Sequence, residues 1–549
     1  MLQPVEFGSN QPISLTRGYS TTTDEIWRML TACHDGDLSA VHRLIECCPG
    51  LVHCEYNYTP PIHFAVREGH VAIVRLLLAH SADPTYRSYR FRDSLLQMAR
   101  ERGYDEIVAL LEEELARRFP LREQANALLT VARTGDLAGV QRLLDLDPLL
   151  ATASNETGDT ALHKACAGGH SSVAELLLDR CADPEAVNSD GFKPIHSAIF
   201  FNNQGWVRYD AERPTESLRA GRLAGLLLAR GAKYNIFLAA VFADHTAVKR
   251  WLEEDAALAN FEDTHHRRPI SAAAWRSDEE MVQLLLDHSA DPNLPESGSP
   301  RGHALWIAAF RRDIRLAHLL LKHGADPEQV AESGGRALDH ARDTPELFQM
   351  LVNHGAEPGD SPKDRLQNAI TDDDLEAAEG ILAKHPYLAR DATMFWNEGI
   401  LAIATRDACW EMIDLLFNYG ATVPKVTKWG KSYYFKHLDV GRYLLKKGAN
   451  PNHKNWHSTT LLHDVVYDGE IEKARLLLDH GAEIDPVDEE YCSTPLGLAA
   501  RAGHREMVEF LLQQGADPTA AGADWATPLE WADRGGHTQI VELLRGRRQ

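Results

Sequence analysis

One phrase returns along this chain at a spacing of about 33 residues, and a chain built that way has few folds open to it. Its first full statement is Thr59-Pro60-Pro61-Ile62-His63-Phe64-Ala65, followed by Gly69-His70, Leu76-Leu77-Leu78 and Ser81-Ala82-Asp83-Pro84. It recurs as Thr160-Ala161-Leu162-His163-Lys164-Ala165 with Gly169-His170, Leu176-Leu177-Leu178 and Ala182-Asp183-Pro184. Near the end it stands as Thr494-Pro495-Leu496, Gly503-His504 and Gly515-Ala516-Asp517-Pro518. A unit this short cannot bury its own apolar face, whereas stacked neighbours bury one continuous core. The 549 residues therefore imply one elongated stack rather than several globules.

Within a unit, Ile73-Val74-x-Leu76-Leu77-Leu78 has helical spacing and a shorter helix precedes it around 62–67, so each unit is an antiparallel helix pair. Small Ala65, Ala165 and Ala499 let first helices approach closely, and Gly69, Gly169 and Gly503 allow the turn between helices. After the second helix, glycines such as Gly231, Gly324 and Gly515 supply a left-handed cap, and Asp-Pro or Asn-Pro blocks continuation.

These marks closely resemble the ankyrin-repeat family from about Asp24 to Gln549. The resemblance implies an all-α solenoid of antiparallel helix pairs with protruding β-hairpin-like loops. It also implies a scaffold that binds protein partners on its concave face and hairpin tips. Residues 1–23 read as a polar N-terminal extension and 24–549 as about sixteen units. With helices about 8–10 Å apart, these layers make an arc on the order of 150 Å long.

Two departures stand out: an insertion at 201–221 and an irregular unit at 427–455. The insertion reads either as a binding loop or as a longer connection packed on the solenoid, since loop closure makes extra length cheap. Four units, beginning near 24, 121, 236 and 362, end in longer tails such as Asp147-Pro148-Leu149-Leu150, and divide the array into blocks where curvature changes.

Composition narrows function. A formal charge of −23 argues against general nucleic-acid binding, and no apolar run is long enough to cross a bilayer. The start of the chain has no basic-then-apolar leader, which makes cytoplasm the expected compartment. Eight cysteines without a Cys-x-x-Cys pair do not form a disulfide framework, and Cys47-Cys48 reads as packing at a helix end. The sequons at Asn57 and Asn155 read as accidental.

Catalytic motifs fail one by one. His63, His163, His196 and His463 occupy the hairpin framework position, and His70, His170, His504 and His537 the inter-helix turn. His265, His266, His453 and His457 are surplus to that pattern but lack a ligand constellation. Gly430-Lys431-Ser432 resembles the end of a phosphate loop, yet the glycine it needs five residues earlier is Lys425. The chain is therefore expected to be non-enzymatic and monomeric, with no cofactor, metal site or catalytic residue.

The candidate partner-binding residues are aromatic and basic tips, the side chains enriched at binding hot spots. Tyr56, Tyr58, Tyr86, Arg87, Tyr89 and Arg90 lie in the first three units, and Trp206 and Tyr209 in the insertion. Trp396, Trp429, Lys431, Tyr433, Tyr434 and Trp456 cluster around the irregular unit. Between 421 and 456 eight Lys or Arg face one Asp, a local charge of 8 − 1 = +7. That asymmetry implies a protein partner with acidic and aromatic segments. Two alternatives follow: a polyanion stacked on Trp429, Tyr433 and Trp456, or a repeat-built metal-dependent enzyme using the insertion, His265, His266 or His453.

Overall fold

The computed structural model describes the chain except residues 6, 9, 16–18, 89–90, 121, 123, 202–205, 208–213, 297–302, 332–334, 360 and 548–549. Helices pair in succession, from Thr23–Asp35 with Leu38–Cys47 to Pro528–Arg534 with Thr538–Arg547. The repeated phrase explains each pair locally. Thr160 enters the helix Ala161–Gly168 in an extended conformation and its hydroxyl accepts from the His163 amide. The His163 ring answers by accepting the Thr160 amide at Nδ1, while Nε2 reaches the Phe192 carbonyl of the next hairpin at 2.9 Å. Thr460 and His463 repeat the device toward the Ser493 carbonyl. The Thr-His pair is thus a bolt between adjacent units.

The turn histidines are a second bolt. His70, His170, His504 and His537 each put Nε2 on a carbonyl of the preceding unit, at His34, Arg133, Tyr467 and Arg501. Gly69 turns the chain between the helices Pro61–Arg67 and Val71–Ala79 with a φ of 80°, a conformation that costs an L side chain about 1–2 kcal/mol.

The apolar core falls into three long clusters, roughly 7–115, 125–356 and 366–544. Breaks therefore occur where blocks were expected near 121 and 362. No break occurs at 236, because Leu227, Ile236 and Phe237 belong to one cluster. The described backbone of the insertion forms a two-stranded antiparallel ladder, Phe200–Phe201 with Trp206–Val207, and leads into the 16-residue helix Pro214–Ala229. In the irregular unit the first helix shrinks to Gly430–Tyr434, and Val426–Thr427 pairs in parallel with Lys454–Asn455 of the next tip.

The stack is not an open arc, which corrects the expectation of an elongated one. Its first units fold back onto its last, and the two ends clasp reciprocally. Tips at Trp456-His457 and Glu489-Glu490-Tyr491 rest on the inner helices of the N-terminal units, where Trp456 meets Tyr56 and Phe64 with ring centroids 4.8 and 6.0 Å apart. In return the tip at Phe91-Arg92-Asp93 reaches Arg501 on the inner helix Pro495–Ala502. The cause lies in side chains 400 residues apart, which the nearest-neighbour logic of a repeat does not register.

Candidate functional site

Two buried ionic nodes hold the clasp. At the first, the Glu490 carboxylate takes Arg67 Nη1 at 3.2 Å and faces His63 Nε2 at 3.1 Å, while its backbone carbonyl takes Arg102 Nη2 at 2.5 Å. Burial alone would raise the Glu490 carboxyl; the charges of His63, Arg67 and His457 outweigh it and hold the group well below the usual range. Arg67 is raised in turn, burial opposing and Glu490 and Glu68 prevailing.

At the second node, Arg501 Nη2 donates to both carboxylate oxygens of Asp93 at 2.6 Å. The guanidinium also lies over Trp531, Phe91 and Tyr491, 3.9, 4.2 and 4.9 Å from their centroids. Such cation–π contacts strengthen when desolvated. Burial keeps the Asp93 carboxyl above its ordinary value in spite of Arg501.

A cavity of about 300 Å³ opens along the seam, with Tyr86, Trp429, Asp464 and Tyr467 among its walls. Lys431 lines it too, but is held by Asp468 and by Glu470 at 3.0 Å. The ammonium of Lys428 lies 5.1 Å from the Tyr56 ring centroid, and Lys447 lies over Phe417 and Tyr443. Much of the local positive charge is therefore engaged within the chain.

The residues singled out from the sequence divide by depth. Tyr56, Tyr434 and Trp456 are buried, Tyr434 donating its hydroxyl to the Glu398 carbonyl, which puts all three out of a partner's reach in the clasped form. Tyr86, Trp429 and Tyr433 are half-buried. Arg87 is half-buried as well and donates to the Arg92 carbonyl at 2.9 Å. Tyr89, Arg90 and Tyr209 lie outside the described residues, as does the side chain of Trp206. Tyr58 stays 49% exposed and Trp396 63% exposed.

Trp396 has the most unusual backbone of the group. Phe395, Trp396 and Asn397 have φ of 49°, 55° and 66°, three consecutive left-handed residues without a glycine. Such a run costs about 1–2 kcal/mol per residue and persists only where the surroundings hold it. Phe395 supplies the hold: Tyr433 meets its ring edge-on at 5.3 Å, and Arg406 lies over it at 5.6 Å. Trp396 stacks on Phe395 at 5.0 Å and turns most of its own surface to solvent.

Sequence reasoning missed Arg67, Asp93, Glu490 and Arg501. The usable signal was an arginine on the Ala-rich helix Pro495–Ala502, where a concave face is otherwise small and apolar. It also missed that His196, Asp263 and His265 come together as possible metal ligands, all three buried. Among the described residues no helix is long and apolar enough to cross a membrane.

Comparison with known proteins agrees with this architecture. The family model "Ankyrin repeats (3 copies)" matches residues 29–117, 128–209, 431–522 and 462–548, and the model "Ankyrin repeat" matches 265–297. The zebrafish (Danio rerio) ankyrin repeat and SAM domain-containing protein 6 is 28% identical over 233 residues, 41% of this chain and 28% of the relative. The human transient receptor potential cation channel subfamily A member 1 is 22% identical over 547 residues, covering 91% of this chain and 39% of the channel. The chain thus spans well under half the length of either. A solved human ASB11 ankyrin repeat domain aligns with 42% of this chain and 98% of its own, at 21% identity and a TM-score of 0.27. With matches over more than half its length, and with the helix pairs and both histidine bolts in place, the chain belongs to the ankyrin-repeat family.

Proposed function

We propose that this chain is a non-enzymatic interaction scaffold whose two ends are committed to each other and whose protein partner is anchored at Trp396. The observation that carries the reading is the strained, stacked and exposed Phe395-Trp396 tip. Tryptophan is enriched among binding anchors, and on a rigid support it loses little side-chain entropy on docking. Lys425 and Lys436 of the neighbouring unit are exposed, and Lys436 Nζ donates to the carbonyl of Arg406, whose guanidinium lies over Phe395. They favour a partner with an apolar pocket edged by acidic groups.

His163, His170 and His463 support a non-catalytic reading, since the Nε2 of each is spent on a backbone carbonyl. A polyanion is disfavoured because Lys428, Lys431 and Lys447 already have partners within the chain. The clasp favours a monomer closed on itself, working in the cytoplasm. Affinity capture from native lysate with wild type and Trp396→Ala tests this proposal. A hot spot lost should reduce capture tenfold or more, about 1.4 kcal/mol or greater. Equal recovery of the same partners by both proteins would refute the anchor.

A further inference from the structure

In the middle of the stack one connection between helix pairs has no room for a hairpin. After the helix Pro214–Ala229 the chain turns at Gly231 and enters the next helix, Ile236–Val241, with Asn235 already its cap, leaving no tip between them. The tips on either side close over the gap. Thr264 Oγ1 donates to the Gly191 carbonyl at 2.6 Å, and a Cβ on Gly191 would lie 2.1 Å from the Thr264 carbonyl oxygen. From the far tip His265 drops into the space beneath, where Phe192, Phe200 and Phe237 surround it at 5.2, 5.3 and 4.9 Å.

This histidine has no ordinary explanation. It is 2% exposed, yet neither ring nitrogen has a hydrogen-bond partner among the described residues. His163 and His463 of the same stack reach a carbonyl with Nε2; His196, on the helix beneath, instead turns its Nε2 toward Asp263 Oδ2 at 3.5 Å. The His196 and His265 rings lie 4.5 Å apart. Asp263 is fixed from outside, Asn235 Nδ2 donating to Oδ2 at 3.1 Å and the Thr264 amide to Oδ1 at 2.5 Å. One ligand atom from each of the three residues falls within 4.8 Å of the other two.

We propose that His196, Asp263 and His265 form a site for a divalent transition-metal ion of the zinc class. Two imidazoles and one carboxylate, the carboxylate held by the Asn235 side chain and the Thr264 amide, are the donor set such ions take. Calcium and magnesium prefer oxygen donors alone, and soft ions prefer thiolates. Asp263 supplies one negative charge; the guanidinium of Arg267 opposes the ion but is turned to His303 Nε2. His196 Nδ1 accepts the Lys193 amide at 3.0 Å, so in the ion-free chain Nε2 carries the proton. Loading moves that proton to Nδ1 and gives up the amide bond, with no net proton released. The ion would tie the helix Pro194–Ile199 to a hairpin two units on, replacing the missing tip.

The test uses the full chain, stripped with chelator, incubated with Zn²⁺ or Co²⁺ and desalted. Elemental analysis should find about one equivalent retained per chain. His265→Phe, which fits the aromatic cage, and Asp263→Asn should each retain less than a tenth of that while circular dichroism stays unchanged. His196→Gln should lose the ion likewise. The Co²⁺ form should show visible d–d bands without a near-ultraviolet thiolate band. Failure of the wild type to retain either ion would overturn the proposal. So would undiminished retention by folded His265→Phe, or a thiolate band placing the ion on buried cysteines such as Cys33, Cys48 or Cys54.

Discussion

Arg501 and Asp93 test whether the two ends meet in solution. Both side chains are nearly inaccessible, 8% and 6% exposed, so losing either one strands a buried charge. Breaking such a pair from one side costs about 3–5 kcal/mol, whereas replacing both partners by neutral groups costs much less. Arg501→Gln leaves the Asp93 carboxylate beside Glu101, whose carboxylate lies 3.7 Å from the arginine. The cheapest relief is to open the clasp and let water reach both acids, so the loss appears as opening before it appears as unfolding. Arg501→Gln and Asp93→Asn should each increase the maximum dimension in small-angle scattering and speed amide exchange at 91–94 and 488–493. The double variant should open less than the sum of the singles, with a coupling of about 2–3 kcal/mol. Arg501 also packs on Trp531 within its own block, but that loss is common to both arms of the cycle that carry the substitution. Strictly additive effects with unchanged scattering would mean the pair is not formed, and the clasp would fall with it.

Three other outcomes follow. Burial lowers the His453 pKa to about 4, against an ordinary 6.5, so its neutral form stabilises the fold fully above 6.5 and the contribution is lost as pH falls toward 4; the loss reaches about 3 kcal/mol, and denaturant titrations at pH 7 and 4.5 should show His453→Asn less acid-sensitive than wild type. Gly191→Ala should destabilise by about 2–5 kcal/mol in calorimetry, because its left-handed backbone and the Thr264 carbonyl both reject a methyl group; wild-type stability would disprove the close approach of the two tips. Asn397→Gly should raise stability by up to about 1 kcal/mol by relieving one left-handed residue, and a loss of melting temperature would contradict the strained run.

What the sequence discloses depends on the range of the interaction. Thr160, His163 and Gly169 act between adjacent units, so their spacing is enough to assign them, and the structure finds them bonded as that spacing implies. Glu490 and Arg67 stand 423 residues apart, and neither departs from what a charged surface residue looks like in a list of letters. The surplus of Tyr and Trp at both ends was visible, yet it read as two surfaces awaiting partners, whereas Tyr56 and Trp456 pack on each other. His265 was conspicuous as a histidine without a framework role. Its cage depends on a truncated hairpin and on Phe200 at the mouth of the insertion, and only folding assembles those. At Trp396 the aromatic side chain was legible, but not the left-handed backbone that displays it.

In an open array the outermost units have a neighbour on one side only, and they fray first. The reciprocal clasp gives the first and last units of this chain a second neighbour each, so neither terminus is a free edge from which the stack can unzip. The weak joints move to the interior, where the apolar core lapses between Leu115 and Ala125 and again between Ala356 and Leu366. A protease or a rise in temperature should then meet a closed loop, and its first opening should be a swing of whole blocks about those joints rather than the peeling of one repeat after another.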